Sequence, residues 1–302
     1  MTDHEKEVER QIIAAKEGHR PRGTRPRVFV LGATDGARGC IPAHTLRSGR
    51  RMAIRLGALC LWLLVAAAEA ASSPRPEQRG WIAVDIGHTL ALPGATSARG
   101  LTEFSFNRTF GGMLAAGVAA AGGDARLVNA DGMIESLPAR GRAAAGSRLL
   151  VAVHHDSVQP RFFSTWTHEG VERPYSDRNA GFSLFVSRKN IALEASLACA
   201  SAMGAALRAA GFSPSLYHAE RIAGEAKPYA DRTNGVHYYD NLIVLKSMRG
   251  PAVLFEAGVI VSRDEELQLL DDERRSRMAR ALAAAIVSCS STAVGRKGAR
   301  GF

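Results

Sequence analysis

Cysteine is scarce in this sequence, and none of it is arranged to bind a metal. The 302 residues include four cysteines, without a C-x-x-C pair or another cysteine metal motif, which argues against a cysteine-ligated metal site. Cys199 and Cys289 fall in Ala-rich stretches that predict helices. We interpret them as buried thiols, and a single disulfide formed in an oxidising compartment is the alternative.

The sequence also lacks an apolar run long enough to predict a membrane span. The stretch Leu56–Ala68 holds about 13 apolar or small residues, whereas a spanning helix needs roughly 20. Four arginines between positions 47 and 55 precede this stretch, and Ala68-Glu69-Ala70 closes it. This order is typical of a secretory signal peptide, which we predict over residues 52–70, and a buried core helix is the alternative. We therefore expect the protein to be exported and to keep no stable membrane span after processing.

Residues 1–51 show no sustained hydrophobic period, and we interpret them as a disordered leader or a mis-assigned start. A phosphate-binding loop is missing from this region as well. The formal net charge is +10, but residues 1–70 hold 12 Lys or Arg against 7 Asp or Glu. Half of the net positive charge would therefore leave with the leader and signal peptide, which argues against nucleic acid as a partner.

The remaining chain alternates short apolar runs with long Ala- and Leu-rich stretches. Its expected parts are a linker over 71–79, a catalytic domain over 80–290 and a basic flexible tail over 291–302. The predicted strands are Ile82–Ile86, Ala125–Val128, Leu149–Val153, Phe182–Val186 and Ala252–Phe255. The predicted helices cover 103–121, 138–146, 190–210 and 263–288. This alternation predicts a three-layer α/β domain with a mostly parallel twisted sheet flanked by helices.

Chemically versatile side chains follow several of these strands. In parallel sheets, ligands bind outside the carboxyl ends of the strands. His88 follows the first strand, Glu103 begins the next helix, and Glu256 follows the last strand. Asp85 is close enough in sequence to orient the imidazole of His88 through a hydrogen bond.

A second histidine candidate comes from the end of the third strand, where His154 and His155 are adjacent. Neighbouring residues of a strand point to opposite faces, so only one of them should face the site, and the pattern alone does not select it. Two histidines and a glutamate leave one zinc position open for water, as a catalytic zinc site requires. A further glutamate can then transfer a proton from that water to a leaving nitrogen.

Three separated motifs resemble the zinc-dependent N-acetylmuramoyl-L-alanine amidases of the Amidase_3 family. The family's D-P-G-H-G-G, P-G-A and G-x-x-E elements are similar to residues 85–90, 93–95 and 100–103, with the glutamate fifteen positions after the histidine. Its S-I-H-A-[DN] motif is similar to residues 152–156. Its P-A-V-L-V-E-x-G motif is similar to residues 251–258. The resemblance covers roughly residues 80–290.

The resemblance implies Zn²⁺ as cofactor, with His88, Glu103 and His154 as metal ligands and Glu256 as the catalytic residue. It further implies a periplasmic enzyme that cleaves the amide between N-acetylmuramic acid and L-alanine, in cell-wall remodelling or daughter-cell separation. We then expect peptidoglycan as the partner and a monomer as the oligomeric state. A protein activator would be a second partner. The alternatives are a zinc peptidase of the stem peptide and a non-catalytic wall-binding regulator.

The sequence departs from the family pattern beside the expected metal. Ile86 replaces a proline, and Thr89 and Leu90 replace the two glycines that follow the histidine ligand. These changes are expected to alter the shape of the loop without removing a metal-binding or catalytic side chain.

Two long connections, over about 158–180 and 217–240, are expected to form walls of the substrate groove. Their histidines are interpreted as structural or surface residues: His168, His218 and His237. Their basic side chains are expected either to face stem-peptide carboxylates or to be solvated: Arg221, Lys227 and Arg232.

Overall fold

The structure, a computed structural model, describes residues 80–298, with side chains described up to residue 291. The predicted leader, signal peptide and linker lie outside this part of the chain, as does the end of the predicted tail. Within the described residues, no helix is both long enough and apolar enough to cross a membrane.

Seven strands form the central sheet, and two more form a separate hairpin. The strands are β1 Ile82–Ile86, β2 Ala125–Val128, β3 Leu149–Asp156, β4 Ser164–His168, β5 Val171–Tyr175, β6 Ser183–Val186, β7 Tyr229–Asp231, β8 Val236–Tyr238 and β9 Ala252–Val259. The order in the sheet is β2-β1-β3-β9-β6-β8-β7. The first four of these strands are parallel, whereas β6 runs antiparallel to β9 and β7 antiparallel to β8. The predicted mostly parallel sheet is confirmed.

Helices cover both faces of the sheet. They are α1 Glu103–Ala120, α2 Leu137–Ala143, α3 Leu193–Ala209, α4 Ile243–Ser247, α5 Arg263–Leu270 and α6 Asp272–Gly298. On one face α1 and α3 both pack against α6, and on the other α2 packs against α4. The predicted three-layer architecture is therefore confirmed.

Alternate residues of the buried strands pack into two separate hydrophobic cores. In β3, Val151 and Val153 belong to the core beneath α1, α3 and α6, whereas Leu150 and Ala152 belong to the smaller core on the opposite face. Because the strands are covered on both faces, they are apolar throughout rather than alternating with polar residues. This arrangement holds the carboxyl ends of β1, β3 and β9 rigidly side by side.

Several boundaries differ from the prediction. Strands β3 and β9 continue to Asp156 and Val259, so His154 and Glu256 lie within strands and not after them. The helix predicted over 263–288 is two helices, because Asp271 is extended (φ −72°, ψ 122°). Its carboxylate accepts a hydrogen bond from the backbone N–H of Arg274 at 2.7 Å, as a residue preceding a helix does.

Both long connections contain strands that the sequence reading missed. The first holds the hairpin of β4 and β5, and the second holds β7 and β8. The hairpin is fastened to the domain through Trp166, whose indole N–H donates to the carbonyl of Ala98 at 3.0 Å. The guanidinium of Arg263 lies 3.9 Å from the ring centre of Tyr175 and 5.4 Å from that of Trp166.

The interpretation of the two cysteines as buried thiols is wrong. Cys199 of α3 and Cys289 of α6 form a disulfide, with their Cα atoms 5.3 Å apart. Both residues are buried where the two helices pack together. The bond joins positions 90 residues apart, so local sequence pattern gives no sign of the pairing.

Candidate metal centre and active site

His88 lies at the point where the connections of the sheet change direction. The chain leaves β1 through α1 to reach β2 on one side, and later reaches β3 on the other side of β1. Such a switch point opens a crevice at the carboxyl ends of the strands. His88 follows β1 directly, and the end of β3 carries His154 beside it, with the two rings edge to face at 5.0 Å.

Glu103 joins the two imidazoles. One carboxylate oxygen, Oε2, lies 3.0 Å from Nε2 of His88, and the other, Oε1, lies 3.0 Å from Nδ1 of His154. The carboxylate is oriented by the backbone N–H of Ala95 at 3.1 Å and by the side-chain amide of Asn107 at 3.2 Å. Asn107 lies one turn after Glu103 on the same face of α1.

The two neighbouring histidines of β3 point to opposite faces of the sheet. His154 faces Glu103, whereas His155 is buried against Phe106 with ring centres 5.4 Å apart. The Nδ1 atom of His155 lies 2.8 Å from the side-chain oxygen of Asn107. Burial lowers the pKa of His155 to about 3, so this ring is neutral and serves packing. The strand therefore offers one histidine to the site.

The three predicted ligands can share one metal ion. The ligand atoms that His88, Glu103 and His154 offer all lie within 4.8 Å of one another. Burial opposes the charge on Glu103, but the two histidines hold the pKa of this carboxylate well below its usual value. Burial lowers the pKa of His154, although Glu103 opposes this effect. An ionised glutamate between a neutral histidine and a second imidazole is a donor set suited to a divalent cation.

Asp85 does not orient His88, and that expectation is wrong. Strand alternation turns Asp85 to the face that α2 covers, where its carboxylate lies 3.7 Å from the guanidinium of Arg140. Burial raises the pKa of Asp85 to about 7, although Arg140 opposes the rise. The imidazole of His88 instead has a hydrogen bond with the backbone of Leu92. Such a bond fixes the ring plane of a ligand histidine.

Two glycines make room for the ligand side chains. A Cβ atom on Gly87 would lie 2.5 Å from the ring of His154. On Gly94, at φ +80°, it would lie 2.5 Å from Oε2 of Glu103 and 2.7 Å from the ring of His88. Any larger residue would therefore displace a ligand, which gives a physical reason for the glycines of the sequence motif.

The two residues that replace glycines of the family pattern, Thr89 and Leu90, have different environments. Thr89 is buried and closes a turn, because its hydroxyl accepts the N–H of Leu92 at 2.9 Å. Leu90 is 60% exposed beside the predicted ligands. It borders a pocket of about 320 Å³, whose other walls are Thr102, Phe104, Ser105, Arg108 and Thr109. Leu90 therefore adds an apolar wall to a pocket whose lining includes none of the three candidate ligands.

Glu256 lies on β9 in register with His154 of β3. Residues paired in this way project from the same face of a sheet, so the two side chains are neighbours. The Oε2 atom of Glu256 is buried and has no hydrogen bond to any described residue. Burial, and then the carboxylates of Asp156 and Glu103, raise the pKa of Glu256 well above its usual value. A half-buried carboxyl group with a raised pKa suits acid–base chemistry.

A chain of paired charges lies beside Glu256. His218 binds the carboxylate of Asp156 through Nε2 at 2.6 Å and that of Glu225 through Nδ1 at 2.9 Å. Lys227 binds Glu225 at 2.7 Å. Burial opposes the charge on His218, but Asp156 and Glu225 raise its pKa to about 9. The positively charged imidazole therefore fastens the second long connection to the end of β3.

The other residues considered from sequence have mainly structural environments. His237 is completely buried, and His168 stacks on Trp166 with ring centres 5.1 Å apart. Lys227 pairs with the buried carboxylate of Glu225, so its side chain is not fully solvated. The sequence reading missed Asn107, although its position four residues after Glu103 on a helix was a usable signal.

These features define an α/β enzyme domain with a candidate metal centre and a half-buried carboxyl group at the carboxyl edge of its sheet. The chain belongs to the N-acetylmuramoyl-L-alanine amidase family, Amidase_3, which matches residues 82–288. It is thereby a hydrolase of peptidoglycan that acts on the amide between N-acetylmuramic acid and L-alanine. No curated protein matches the chain.

Solved amidase structures share the fold. The chain is similar to the N-acetylmuramyl-L-alanine amidase Ami1 from Mycobacterium smegmatis, with a TM-score of 0.56 and 18% identity, over 70% of this chain and 97% of that one. It is also similar to the catalytic domain of the amidase CwlV from Bacillus (Paenibacillus) polymyxa var. colistinus. There the TM-score is 0.52 and the identity 22%, over 69% of this chain and 97% of that one.

A third similar structure includes a protein partner. The CwlD amidase from Clostridioides difficile, solved in complex with the GerS lipoprotein, has a TM-score of 0.51 and 16% identity. The match covers 70% of this chain and 99% of that one.

Proposed function

We propose that the protein is a Zn²⁺-dependent amidase in which His88, Glu103 and His154 hold the metal and Glu256 is the catalytic residue. The observation that carries the proposal is the convergence of three ligand atoms within 4.8 Å of one another beside a carboxyl group with one buried, unpaired oxygen. Two imidazoles and one carboxylate fit a catalytic zinc site, because they leave a coordination position for water or substrate. Bound Zn²⁺ would supply the Lewis acidity that activates water and polarises the scissile carbonyl.

The protein's own residues would then move the proton. Glu256 accepts a proton from the attacking water and delivers it to the nitrogen of the departing L-alanine. The raised pKa of Glu256 favours the first step, because a carboxylate with a raised pKa is the stronger base. A bound cation near the carboxylate would lower that pKa, which keeps Glu256 ionised before the first step and makes the protonated group a stronger acid in the second.

We further propose that the protein acts in the periplasm after export, as a monomer whose catalytic domain spans residues 80–290. The disulfide between Cys199 and Cys289 supports export, because such bonds persist in oxidising compartments. The signal peptide predicted over residues 52–70 would direct this export. A protein activator is compatible with this proposal, since the similar CwlD amidase was solved in complex with a lipoprotein.

Digestion of purified sacculi tests the reaction. The protein should release stem peptides with a new amino-terminal L-alanine, identified by mass spectrometry, and a chelator should abolish their release. The Glu256→Gln variant should lose about 10²–10⁴-fold in rate, the usual contribution of an acid–base group. Glu172→Gln, which removes an exposed carboxylate of the hairpin, is the matched control and should retain full rate.

Other products would identify another enzyme. Cleavage within the stem peptide, with the lactyl–alanine link intact, would mean a zinc peptidase. Binding to sacculi without any soluble product would indicate a wall-binding regulator. Full activity of Glu256→Gln would remove Glu256 from the mechanism.

A further inference from the structure

His88 has an unusual backbone conformation for a residue whose side chain would bind a metal. Its φ is +65°, in the left-handed region that residues with a Cβ atom rarely adopt. Such a conformation persists only where the surroundings impose it. The residue lies in the short segment between β1 and Leu90, so its own strand cannot impose this turn. Groups from elsewhere in the chain must hold it.

Two buried side chains bind the carbonyl groups on this turn. The side-chain amide of Asn129 donates to the carbonyl of Ile86 at 2.8 Å and to that of His88 at 2.7 Å. The guanidinium of Arg140 donates to the same two carbonyls, at 2.9 Å for Ile86 and through a second nitrogen for His88. Both carbonyls therefore accept from both side chains.

The two donors are themselves held in place. Arg140 also donates to the carbonyl of Ile134 at 3.1 Å, and its guanidinium lies 3.7 Å from the buried carboxylate of Asp85. The side-chain oxygen of Asn129 accepts the backbone N–H of Ile134 at 2.8 Å. Asn129 and Arg140 are 4% and 2% exposed, so water cannot readily replace the bonds that they make.

We propose that Asn129 and Arg140 are positioning residues that fix the His88 turn before metal binds, and thereby set the affinity of the site for zinc. Neither side chain touches the ligand atoms. They act through the backbone of His88, because four hydrogen bonds to two carbonyls hold the turn that directs its imidazole towards Glu103. This proposal rests on the metal site of the proposed function, but not on the reaction.

The test compares zinc affinity between variants of the full chain, measured by competition with a chromophoric chelator. Asn129→Gly removes the amide and suits a residue whose own φ is +59°, so it adds no backbone strain. Arg140→Lys keeps the charge that faces Asp85 but removes the planar fork. Each variant should raise the Kd for Zn²⁺ about 10-fold or more, as the loss of supporting contacts around metal ligands does.

Two controls separate positioning from general stability. Asn190 also donates to three buried backbone carbonyls, at Leu245, Met248 and Gly250, but these lie at the opposite end of β9 from Glu256. Asn190→Gly should lower the melting temperature and leave the Kd within about twofold of wild type. Arg142→Lys, on the exposed face of the same helix as Arg140, should change neither quantity.

The results decide between positioning and a merely structural role. A folded Asn129→Gly variant with wild-type Kd would overturn the proposal, as would an equal loss of affinity in Asn190→Gly. If Arg140→Lys does not fold, the Kd of Asn129→Gly for Zn²⁺ alone decides whether the proposal holds. Weakened zinc binding in Asn129→Gly supports the proposal even if wild-type protein releases no peptide from sacculi, an outcome that would reject only the amidase proposal.

Discussion

Removing the disulfide tests how strongly the packing of the last helix depends on a covalent link. The perturbation is the double variant Cys199→Ala with Cys289→Ala. The bond closes a loop of 90 residues, and a loop of this length reduces the entropy of the unfolded chain by the equivalent of about 4–5 kcal/mol at 25 °C. Because α6 packs against both α1 and α3, the loss should destabilise the whole domain.

For a domain of about 200 residues, this loss corresponds to a fall in melting temperature of roughly 8–20 °C. Differential scanning calorimetry of both proteins, with and without a reductant, measures it. The reductant should lower the melting temperature of wild type and leave the double variant unchanged. The reasoning would be refuted by a wild-type melting temperature insensitive to reductant, or by non-reducing peptide maps in which the two cysteines occur in separate peptides.

Two further predictions concern the site. Gly94→Ala should weaken zinc binding about 10-fold or more, because the new methyl group would displace the carboxylate of Glu103. Competition with a chelator measures the affinity, and an unchanged Kd would contradict the close contact between position 94 and Glu103. His218→Gln should destabilise the protein to urea at pH 6 and much less at pH 10. A histidine whose pKa is raised to about 9 by Asp156 and Glu225, against the effect of burial, stabilises the folded state fully below its ordinary pKa of 6.5 and loses that contribution as the pH rises through 9. Equal destabilisation at both pH values would rule out the charged pairing.

The sequence predicts the parts of the site that depend on short spacings. His88 follows a buried strand, and Glu103 begins the next helix, so hydrophobic period alone places both near the carboxyl edge of the sheet. The choice between His154 and His155 needed the family register, and strand alternation in the structure agrees with it. Strands β1 and β2 have the predicted bounds, and each ends immediately before a turn-forming residue, Gly87 or Asn129.

Pairings between distant residues could not be predicted in this way. Asp85 precedes His88 by three residues, yet it faces Arg140 because the pleat of the strand turns it to the other face. His218 meets Asp156 across 62 positions, and no periodicity encodes such a contact. The same limit applies to the disulfide. The hydrophobic pattern indicates which face of a helix or strand is buried, but it does not indicate which residues pack against that face.

The reversed direction of β6 has a consequence for the connection that precedes it. Because β6 is antiparallel to β9, it begins at the edge where β3 ends. The connection over 157–182 therefore starts and finishes at the carboxyl edge without crossing the sheet. Its length and its hairpin can be changed without altering any strand of the core. The fold thus keeps this connection on one side of the sheet, separate from the strands that carry His154 and Glu256.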